Sequence, residues 1–323
     1  RARNRGSAAV ERLSQIEGVA TNGICDVRPE KAAEAKARIK TAGHRAQLFT
    51  EGAEHWKKLC EQPDYDLIYI ATHWQLHAEM AIYAMEQGKH VALEIPAATS
   101  VEDCWRLVQT SEKTKKHCVM LENCCYDYFE LLTLNLARQG FFGDIVHCEG
   151  AYLHDILDSF FDAEKRFDFW RLKENAARNG NLYPTHGLGP ICQLLKVNRG
   201  NKMEYMSSMS SKDFMLQQKA KEMAATDKQF ETYAEKPLRG NMNISNILTQ
   251  HGSTIMLQHD VSSPRPYSRL HLISGTKAFA QKYPLPGKIA IDHGDFLPSE
   301  EMARLEQQYT PCIVKRIGEL AKK

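Results

Sequence analysis

A repeated alternation of short apolar strands and amphipathic helices constrains the fold of this chain more than any other feature of its sequence. The segment Asp66–Ala71 is a continuous apolar run of the kind that is buried in a parallel sheet. A helix is predicted from His77 to Gln87, where Gly88 ends it, and His90–Glu94 is predicted to form the next strand. This alternation predicts a doubly wound, parallel α/β sheet.

The same alternation extends from the start of the chain to about residue 121. Ser100 and Asp103 have the spacing of a capping box at the start of a helix. The other predicted elements are helices over residues 8–17, 30–40 and up to about 115, and strands over 19–25 and 118–121. A doubly wound unit opens on a strand, whereas this sequence opens on a helix, so we expect its first strand to be missing.

After Leu121 the pattern changes to long stretches in which apolar and polar residues alternate. Such stretches are typical of a large, open and mostly antiparallel sheet. They cover residues 143–153, 202–211, 242–260 and 269–282, with helices predicted over 126–138 and 299–321, the latter broken near Pro311. Residues 212–236 are polar and predict a helical or loop excursion. We therefore expect two domains, residues 1–121 and 122–323.

Composition excludes several classes of function. The formal charge of the 323 residues is +2, which does not indicate nucleic acid or an anionic membrane as a partner. No apolar run approaches the roughly 20 residues that span a bilayer. Nine cysteines without a C-x-x-C pair favour buried free thiols over a disulfide framework or a metal site. This cysteine usage fits a reducing compartment.

The start of the chain carries a weak dinucleotide-binding signal. Gly6 opens the first predicted helix, and Asp26 follows twenty residues later at the end of a strand. Backbone amides at such a helix start bind a pyrophosphate, and an acid at that strand end accepts hydrogen bonds from the adenosine ribose. Asp26 favours NAD over NADP because it would repel a 2′-phosphate. A complete G-x-G-x-x-G is not present, and the alternative is an arbitrary glycine beside a solvated acid.

Three further motifs follow predicted strands or loops. They are Thr72–His77, Glu94-Ile95-Pro96 and Asn181–Gly187. Ligands of open α/β sheets bind at the carboxyl ends of strands, which favours a ligand role for the first two. His186 lies just inside a predicted helix start and could act as an acid or base. The alternatives are an aromatic plug at a helix start and a purely structural histidine.

Together these segments resemble the Gfo/Idh/MocA oxidoreductase superfamily over nearly the whole chain. Most members have Glu-Lys-Pro where this chain has Ile95 in the lysine position, which weakens an ordinary sugar dehydrogenase assignment. A narrower resemblance is to glycoside hydrolase family 109, whose members are NAD-dependent α-N-acetylgalactosaminidases. It is carried by Arg-Asn-Arg-Gly (3–6), Cys-Asp-Val-Arg-Pro (25–29), Trp-Gln-Leu-His (74–77), Glu-Asn-Cys-Cys-Tyr (122–126), Glu-Gly-Ala-Tyr (149–152), Trp-Arg-Leu (170–172) and the long run 178–190.

The resemblance implies roles for particular positions. The implied NAD contacts are Asn4, Arg5, Asp26, Trp74, Gln75, Leu76, His77, Glu94, Ile95, Asn123 and Tyr183. The implied substrate contacts are Tyr152, Arg171, Tyr183, Pro184, Thr185, His186 and Tyr267. The implied catalytic residues are His186, Tyr152 and Glu122. The resemblance implies no metal, and it also fits an exported protein.

The implied reaction hydrolyses a terminal α-linked N-acetylgalactosamine without net redox change. NAD⁺ takes hydride from C3 of the sugar, the C2 proton is removed, the aglycone leaves C1, water adds, and hydride returns to C3. Without a lysine at position 95, proton transfer near the C3 hydroxyl is expected of His186. Tyr152 or His186 handles the C2 proton, and Glu122 or water assists departure at C1. Arg171 suits hydrogen bonds to substrate oxygens.

Two other functions compete with this hypothesis. The first is a sugar or inositol dehydrogenase with net NAD turnover, which Ile95 disfavours. The second is a non-catalytic dinucleotide-binding protein, which the His186 motif disfavours. By analogy, an exposed face of the second-domain sheet would suit a homodimer.

Overall fold

The computed structural model describes residues 5–40 and 42–320. Its internal contacts divide the chain after Leu121 into two compact units. In the described part of the chain, no helix combines the length and the apolar character that crossing a membrane requires.

The first unit alternates helices with short parallel strands. Its strands are β1 Gly23–Cys25, β2 Gln47–Phe49, β3 Leu67–Ile70, β4 His90–Leu93 and β5 Cys118–Met120. Its helices are α1 Arg5–Leu13, α2 Pro29–Lys40, α3 His55–Cys60, α4 Trp74–Glu86 and α5 Val101–Thr114. The sequence did not predict β2 and α3. The helix predicted over residues 8–17 begins and ends earlier, because residues 14–18 form turns.

The parallel sheet of this unit is confirmed, and it consists of two pieces. One piece pairs β1 with β2, and the other has the order β3-β4-β5. In a complete Rossmann sheet the first strand lies between these two pieces. No strand formed by the described residues occupies that place.

Helix α4 shows why the sequence folds this way locally. The helix is apolar on most of its surface, and Ala81, Ala84 and Met85 are fully buried against Val91 and Leu93 of β4. The predicted capping box is also present at α5, where the Ser100 hydroxyl accepts a hydrogen bond from the backbone amide of Asp103 at 3.1 Å.

The second unit is built on one large sheet. Its strands are β6 Ile145–Leu153, β7 Met203–Ser210, β8 Asn243–Thr249, β9 Thr254–Asp260, β10 His271–Gly275, β11 Ala278–Lys282 and β12 Lys288–Ile291. The sheet has the order β12-β11-β10-β6-β9-β8-β7. Only the β6–β9 pair is parallel among these described strands, so the predicted mostly antiparallel sheet is confirmed.

The strand boundaries in the second sheet differ in detail from those predicted from the sequence. Residues 242–260 and 269–282 are each a hairpin of two strands, because short turns interrupt them at residues 250–253 and 276–277. The last strand, β12, was not predicted. The helices are α6 Tyr128–Arg138, α7 Leu157–Phe160, α8 Trp170–Ala177, α9 Thr185–Leu194, α10 Leu216–Ala224, α11 Glu231–Ala234, α12 Ser299–Tyr309 and α13 Cys312–Leu320. The predicted break near Pro311 separates the last two.

Candidate active site

Two glycines bring α9 unusually close to β6. A Cβ on Gly187 would lie 2.7 Å from the backbone nitrogen of Ala151, and a Cβ on Gly150 would lie 2.7 Å from the Cα of Gly187. Glycine within a helix costs about 0.5–1 kcal/mol relative to alanine, so its presence here requires a packing reason. The close approach sets His186, next to Gly187 on α9, beside Tyr152 at the end of β6.

A third glycine on the same helix makes room for an acid. A Cβ on Gly189 would lie 2.9 Å from the Cγ of Glu122 and 3.0 Å from the sulfur of Cys125. The 3₁₀ turn Asn123–Tyr126, which contains Cys125 and directly follows Glu122, therefore packs on α9. The His-Gly-Leu-Gly sequence at 186–189 thus fits α9 between β6 and this turn.

His186 and Glu122 form a buried hydrogen-bonded pair. The His186 Nδ1 donates to the Oε1 of Glu122 at 2.7 Å, and the two residues are each 4% exposed. A neutral imidazole that donates from Nδ1 carries its lone pair on Nε2, which is then the proton-accepting atom. Burial raises the pKa of Glu122, but hydrogen bonds from His186 and from the backbone amide of Cys124 hold that pKa below its usual value.

Cys124 lies on the other side of this pair. Its sulfur is 3.2 Å from the His186 Nδ1 and accepts a hydrogen bond from Arg269 Nη1 at 3.3 Å. Glu122, Cys124 and His186 therefore present a cluster of metal-ligand atoms within 4.8 Å of one another. Because the Nδ1 already donates to Glu122 and a guanidinium contacts the sulfur, this arrangement fits hydrogen bonding better than cation coordination. Burial also raises the pKa of the Cys124 thiol, which disfavours the thiolate that a metal needs.

The predicted substrate residues of the second unit cluster around Tyr152. Its ring centroid is 5.0 Å from that of His186, 5.1 Å from that of Tyr183 and 6.4 Å from that of Tyr267. The Arg171 guanidinium is 5.3 Å from the centroid of the Tyr183 ring. The structure thus brings together, within one unit, five of the residues that the sequence motifs indicate.

Two predicted residues of the same motif flank this cluster. Pro184 caps the start of α9, and Thr185 is its first residue. The Thr185 hydroxyl is buried, and it contributes to the low pKa of Glu122. Both residues are half-buried, and their position at the helix start keeps His186 in the first turn of α9.

Sequence reasoning missed His154, which contacts two of the tyrosines. The Tyr152 hydroxyl is 3.1 Å from the His154 Nδ1, and the ring centroids of His154 and Tyr267 are 4.7 Å apart. Burial lowers the pKa of His154, and the charges of Arg171 and Arg269 lower it further. His154 is therefore neutral near pH 7 and can accept the phenolic proton. Its position two residues after Tyr152, directly beyond the end of β6, was the available signal.

Arg269 was also missed. It donates to the Tyr267 hydroxyl as well as to Cys124, and its guanidinium is 5.3 Å from the centroid of the Tyr267 ring. Burial raises the pKa of Tyr267 to about 12, even though Arg269 acts in the opposite direction. Tyr267 therefore keeps its proton at neutral pH and can act as a hydrogen-bond donor.

The first unit carries the predicted cofactor residues at the carboxyl ends of its strands. Asp26 follows β1, and its Oδ1 accepts a hydrogen bond from the backbone amide of Arg28 at 2.9 Å. Glu94 follows β4 and accepts from the Tyr69 hydroxyl at 2.6 Å. Both are acceptor groups at the edge of a parallel sheet where ligands bind, which fits the ribose hydroxyls of a dinucleotide.

The predicted Trp-Gln-Leu-His contacts are the first four residues of α4. Trp74 is buried, Gln75 is exposed and Leu76 is half-buried. His77 is fully buried, and its ring nitrogens lie 2.7 Å from the Pro96 carbonyl and 3.1 Å from the Thr72 carbonyl. These contacts join the loops after β3 and β4.

The other residues predicted to contact the cofactor lie in several parts of the chain. Ile95 is buried beside Glu94, and Asn123 is an exposed residue of the 3₁₀ turn in the second unit. Asn4 and the side chain of Arg5 lie outside the described residues.

Comparison with known proteins first identifies the class of protein to which the first unit belongs. Residues 3–122 match the oxidoreductase family with an NAD-binding Rossmann fold. The fold is similar to levoglucosan dehydrogenase in complex with NADH and levoglucosan, with a TM-score of 0.67 and 20% identity over 92% of this chain and 75% of that one. It is also similar to myo-inositol 2-dehydrogenase from Lactobacillus plantarum, with a TM-score of 0.65 and 15% identity over 95% and 83% of the two chains. The first unit is an NAD-binding Rossmann domain of the Gfo/Idh/MocA class.

The match of the second unit, together with the similar full-length relatives, identifies a narrower family. Residues 126–323 match the C-terminal domain of glycosyl hydrolase 109. The chain is 45% identical to an alpha-N-acetylgalactosaminidase from Bacteroides fragilis over 98% of its own length and 75% of that protein. It is 44% identical to glycosyl hydrolase family 109 protein 2 from Phocaeicola vulgatus, over 99% and 78% of the two lengths. The chain belongs to glycoside hydrolase family 109.

Proposed function

We propose that this protein removes terminal α-linked N-acetylgalactosamine from glycans, using NAD as a recycled cofactor. The observation that carries the proposal is the buried His186–Glu122 pair in contact with Tyr152 and Tyr183. The similarity to a relative named alpha-N-acetylgalactosaminidase supports the substrate.

We propose a different main role for each of the two units. Residues 1–121 supply most of the proposed NAD contacts, and residues 122–323 bind and convert the sugar. The proposed NAD contacts are Asn4, Arg5, Asp26, Trp74, Gln75, Leu76, His77, Glu94, Ile95, Asn123 and Tyr183. The proposed substrate contacts are Tyr152, Arg171, Tyr183, Pro184, Thr185, His186 and Tyr267.

The residues of the second unit would move the protons of the reaction. When bound, NAD⁺ supplies reversible oxidation of the sugar at C3, which makes the C2 proton acidic. The His186 Nε2 accepts the proton of the C3 hydroxyl, and Glu122 stabilises the resulting imidazolium. Tyr152 can remove the C2 proton after its hydroxyl proton has passed to the neutral His154, whereas His186 can do so only after it has released the proton taken from the C3 hydroxyl. Glu122 or a water molecule assists departure of the aglycone oxygen from C1.

Hydrolysis of an aryl α-N-acetylgalactosaminide in D₂O tests this mechanism. We expect deuterium at C2 of the product, because elimination removes the C2 proton and addition of solvent replaces it. Mass spectrometry and proton NMR of the early product measure the label. Authentic N-acetylgalactosamine, incubated with the enzyme in D₂O, controls for exchange after hydrolysis. Full turnover with hydrogen retained at C2 would instead establish direct displacement.

A sugar or inositol dehydrogenase is the second candidate, and the structural neighbours favour it. They are dehydrogenases by name, although they share only 15–20% identity with this chain. Such an enzyme would reduce added NAD⁺ in proportion to the sugar consumed. A glycosidase of the proposed type accumulates no NADH, so absorbance of the reduced cofactor separates the two functions.

We also propose that the protein forms a homodimer through the outward face of the large sheet. Met209 of β7 lies opposite Ile244 of β8, and Tyr205 lies opposite Leu248 on the same face. Met209 is 78% exposed and Tyr205 is 68% exposed, which is typical of an interaction surface. Light scattering should give twice the monomer mass, and Met209→Glu should shift it toward the monomer. A monomer mass for the unmodified protein would contradict this assembly.

A further inference from the structure

The segment between β9 and β10 pairs with the end of β6 and places two side chains on its Tyr152 face. Ser268 and Leu153 lie opposite each other and exchange two backbone hydrogen bonds of 2.9 Å. Residues opposite each other in an antiparallel pair share a face, and neighbours along a strand alternate between faces. Tyr267 and Arg269 therefore lie on the same face as Tyr152, and the ring centroids of Tyr267 and Tyr152 are 6.4 Å apart.

Arg269 gives hydrogen bonds to two side chains of the site. Its Nε donates to the Tyr267 hydroxyl oxygen, and its Nη1 donates to the Cys124 sulfur at 3.3 Å. A planar guanidinium holds two acceptors in a fixed relation, because its N–H groups form a rigid fork. Arg269 thus joins the 3₁₀ turn Asn123–Tyr126 to the segment that carries Tyr267.

Cys124 connects Arg269 to the proposed proton acceptor. Its sulfur lies 3.2 Å from the His186 Nδ1, and its backbone amide donates to the Glu122 Oε1 at 2.9 Å. Cys124 is 1% exposed, and burial raises the pKa of its thiol, so the thiol is neutral near pH 7. The sulfur is therefore a fixed contact for the imidazole and not a nucleophile. The hydrogen bond from Arg269 holds it in that position.

Tyr267 connects Arg269 to the sugar. Because the phenolic oxygen accepts from Arg269, its own hydrogen is directed toward another acceptor. Burial raises the pKa of Tyr267 to about 12, so the hydroxyl keeps this hydrogen at neutral pH. Tyr267 is 37% exposed, and its ring also contacts His154. The hydroxyl is thus oriented to donate to an oxygen of a bound sugar.

Two carboxylates compensate the charge of Arg269 without taking its hydrogen bonds. Glu122 contacts Cys124 through the backbone amide and pairs with His186. Burial raises the pKa of Asp127, but Lys282 and, to a smaller extent, Arg269 lower it. Among the residues that the structure describes, neither acid forms a direct ion pair with Arg269. The specific role of Arg269 therefore lies in its two hydrogen bonds.

We propose that Arg269 is a positioning residue of the reaction, which fixes Cys124 against His186 and directs the Tyr267 hydroxyl toward the sugar. This inference rests on the proposed function and adds to it a residue that the sequence motifs did not indicate. Arg269 acts through two other side chains, so its two effects can be measured separately. The contact through Cys124 affects turnover, and the contact through Tyr267 affects affinity for the sugar.

Steady-state kinetics test the effect through Cys124. Arg269→Met should lower kcat for an aryl α-N-acetylgalactosaminide about tenfold to a hundredfold, the range of one hydrogen bond to or from a charged group. In a Cys124→Ala background the same substitution should cost a much smaller factor, because the residue through which Arg269 acts is already gone. Equal losses of kcat in the two backgrounds would overturn this part of the proposal.

Calorimetric binding of N-acetylgalactosamine to the NAD-loaded protein tests the effect through Tyr267. Arg269→Met and Tyr267→Phe should each weaken binding about twofold to tenfold, the range of one ordinary hydrogen bond. The double variant should bind no more weakly than the weaker of the two, and independent losses would contradict the coupling. Binding requires no hydrolysis, so this result stands even if the unmodified protein binds the sugar without hydrolysing its glycoside, an outcome that would reject only the proposed function. Failure of the unmodified protein to bind the sugar would overturn both.

Two further variants separate hydrogen-bond geometry from charge and from folding. Arg269→Lys keeps the charge but has a single donor nitrogen, so it should still lose kcat, affinity or both. It carries the test if Arg269→Met does not fold, and full activity and affinity of Arg269→Lys would overturn the proposal. Arg199→Met removes an exposed arginine from the turn after α9 and should leave both measurements unchanged.

Discussion

Replacement of His186 by alanine should lower kcat for aryl α-N-acetylgalactosaminide hydrolysis by about 10²–10⁴-fold, the usual contribution of a general acid or base. The imidazole is buried, its Nδ1 donates to Glu122, and its ring contacts Tyr152 and Tyr183. Removing it deletes the proposed proton acceptor and leaves the buried Glu122 carboxylate without the imidazole donor, while the backbone amide of Cys124 still donates to it. Steady-state kinetics should therefore show the loss mainly in kcat.

Two controls separate chemistry from folding in this experiment. His251→Ala removes an exposed histidine from the turn between β8 and β9 and should retain activity. Glu122→Gln keeps an acceptor oxygen for the His186 Nδ1 but removes the charge, so it should retain the fold and lose part of kcat. A His186→Ala protein that binds NAD and turns over substrate at the unmodified rate would reject the assignment of His186.

Replacement of Lys282 by methionine should destabilise the second unit by about 3–5 kcal/mol, as expected when one partner of a buried ion pair is removed. The Lys282 Nζ lies 2.8 Å from the Glu130 Oε2 and 2.6 Å from the Asp127 Oδ2. Lys282 is 6% exposed and Glu130 is 3% exposed, whereas the Asp127 side chain is half-exposed. The main cost is therefore the Glu130 carboxylate left in the core, and chemical denaturation measures it.

The pH dependence of this variant has a defined sign. Burial already raises the pKa of Glu130 in the folded protein, and loss of Lys282 should raise it further. A group whose folded pKa is raised contributes stability at low pH and loses it as the pH rises through the folded pKa. The difference between Lys282→Met and the unmodified protein should thus shrink as the pH falls toward about 4.3, the usual glutamate pKa.

Matched variants make the Lys282 prediction specific. Lys288→Met, on the adjacent strand β12, removes an exposed lysine and should cost little. Adding Glu130→Gln to Lys282→Met should recover part of the lost stability, because the unpaired buried charge is gone. Equal destabilisation by Lys288→Met and Lys282→Met would contradict the assignment of the cost to a buried ion pair.

The same ion pair links the fold to the site. Asp127 caps the start of α6 and directly follows the 3₁₀ turn that carries Cys124 beside His186. Tyr283, next to Lys282, has its ring centroid 6.2 Å from that of Tyr267. The ion pairs of Lys282 therefore join the strand that precedes Tyr283 to the start of α6, which follows the 3₁₀ turn.

Local chemistry made much of this fold predictable from sequence. Apolar runs such as Asp66–Ala71, the period of α4 and the cap at Ser100 depend on neighbours a few residues away, so they can be identified without a structure. Elements that are short or weakly apolar were missed because the local pattern that identifies an element is weak in them. β2 (Gln47–Phe49) and β12 (Lys288–Ile291) are short and each begins with a polar residue, so neither is distinguished from the turns beside it.

The amino-acid pattern alone was enough to predict the alternation of helices and strands in the first unit, the mostly antiparallel sheet of the second and, through its motifs, most of the residues that gather around Tyr152. The atomic contacts could be read only from the folded chain: the approach of Gly187 to Gly150, the Glu122–His186 hydrogen bond, and the position of Arg269 at the Cys124 sulfur. The physical reason is distance along the chain. Glu122 and His186 are 64 residues apart and Cys124 and Arg269 are 145 apart, so only packing of the sheet against α9 and the 3₁₀ turn brings them into contact.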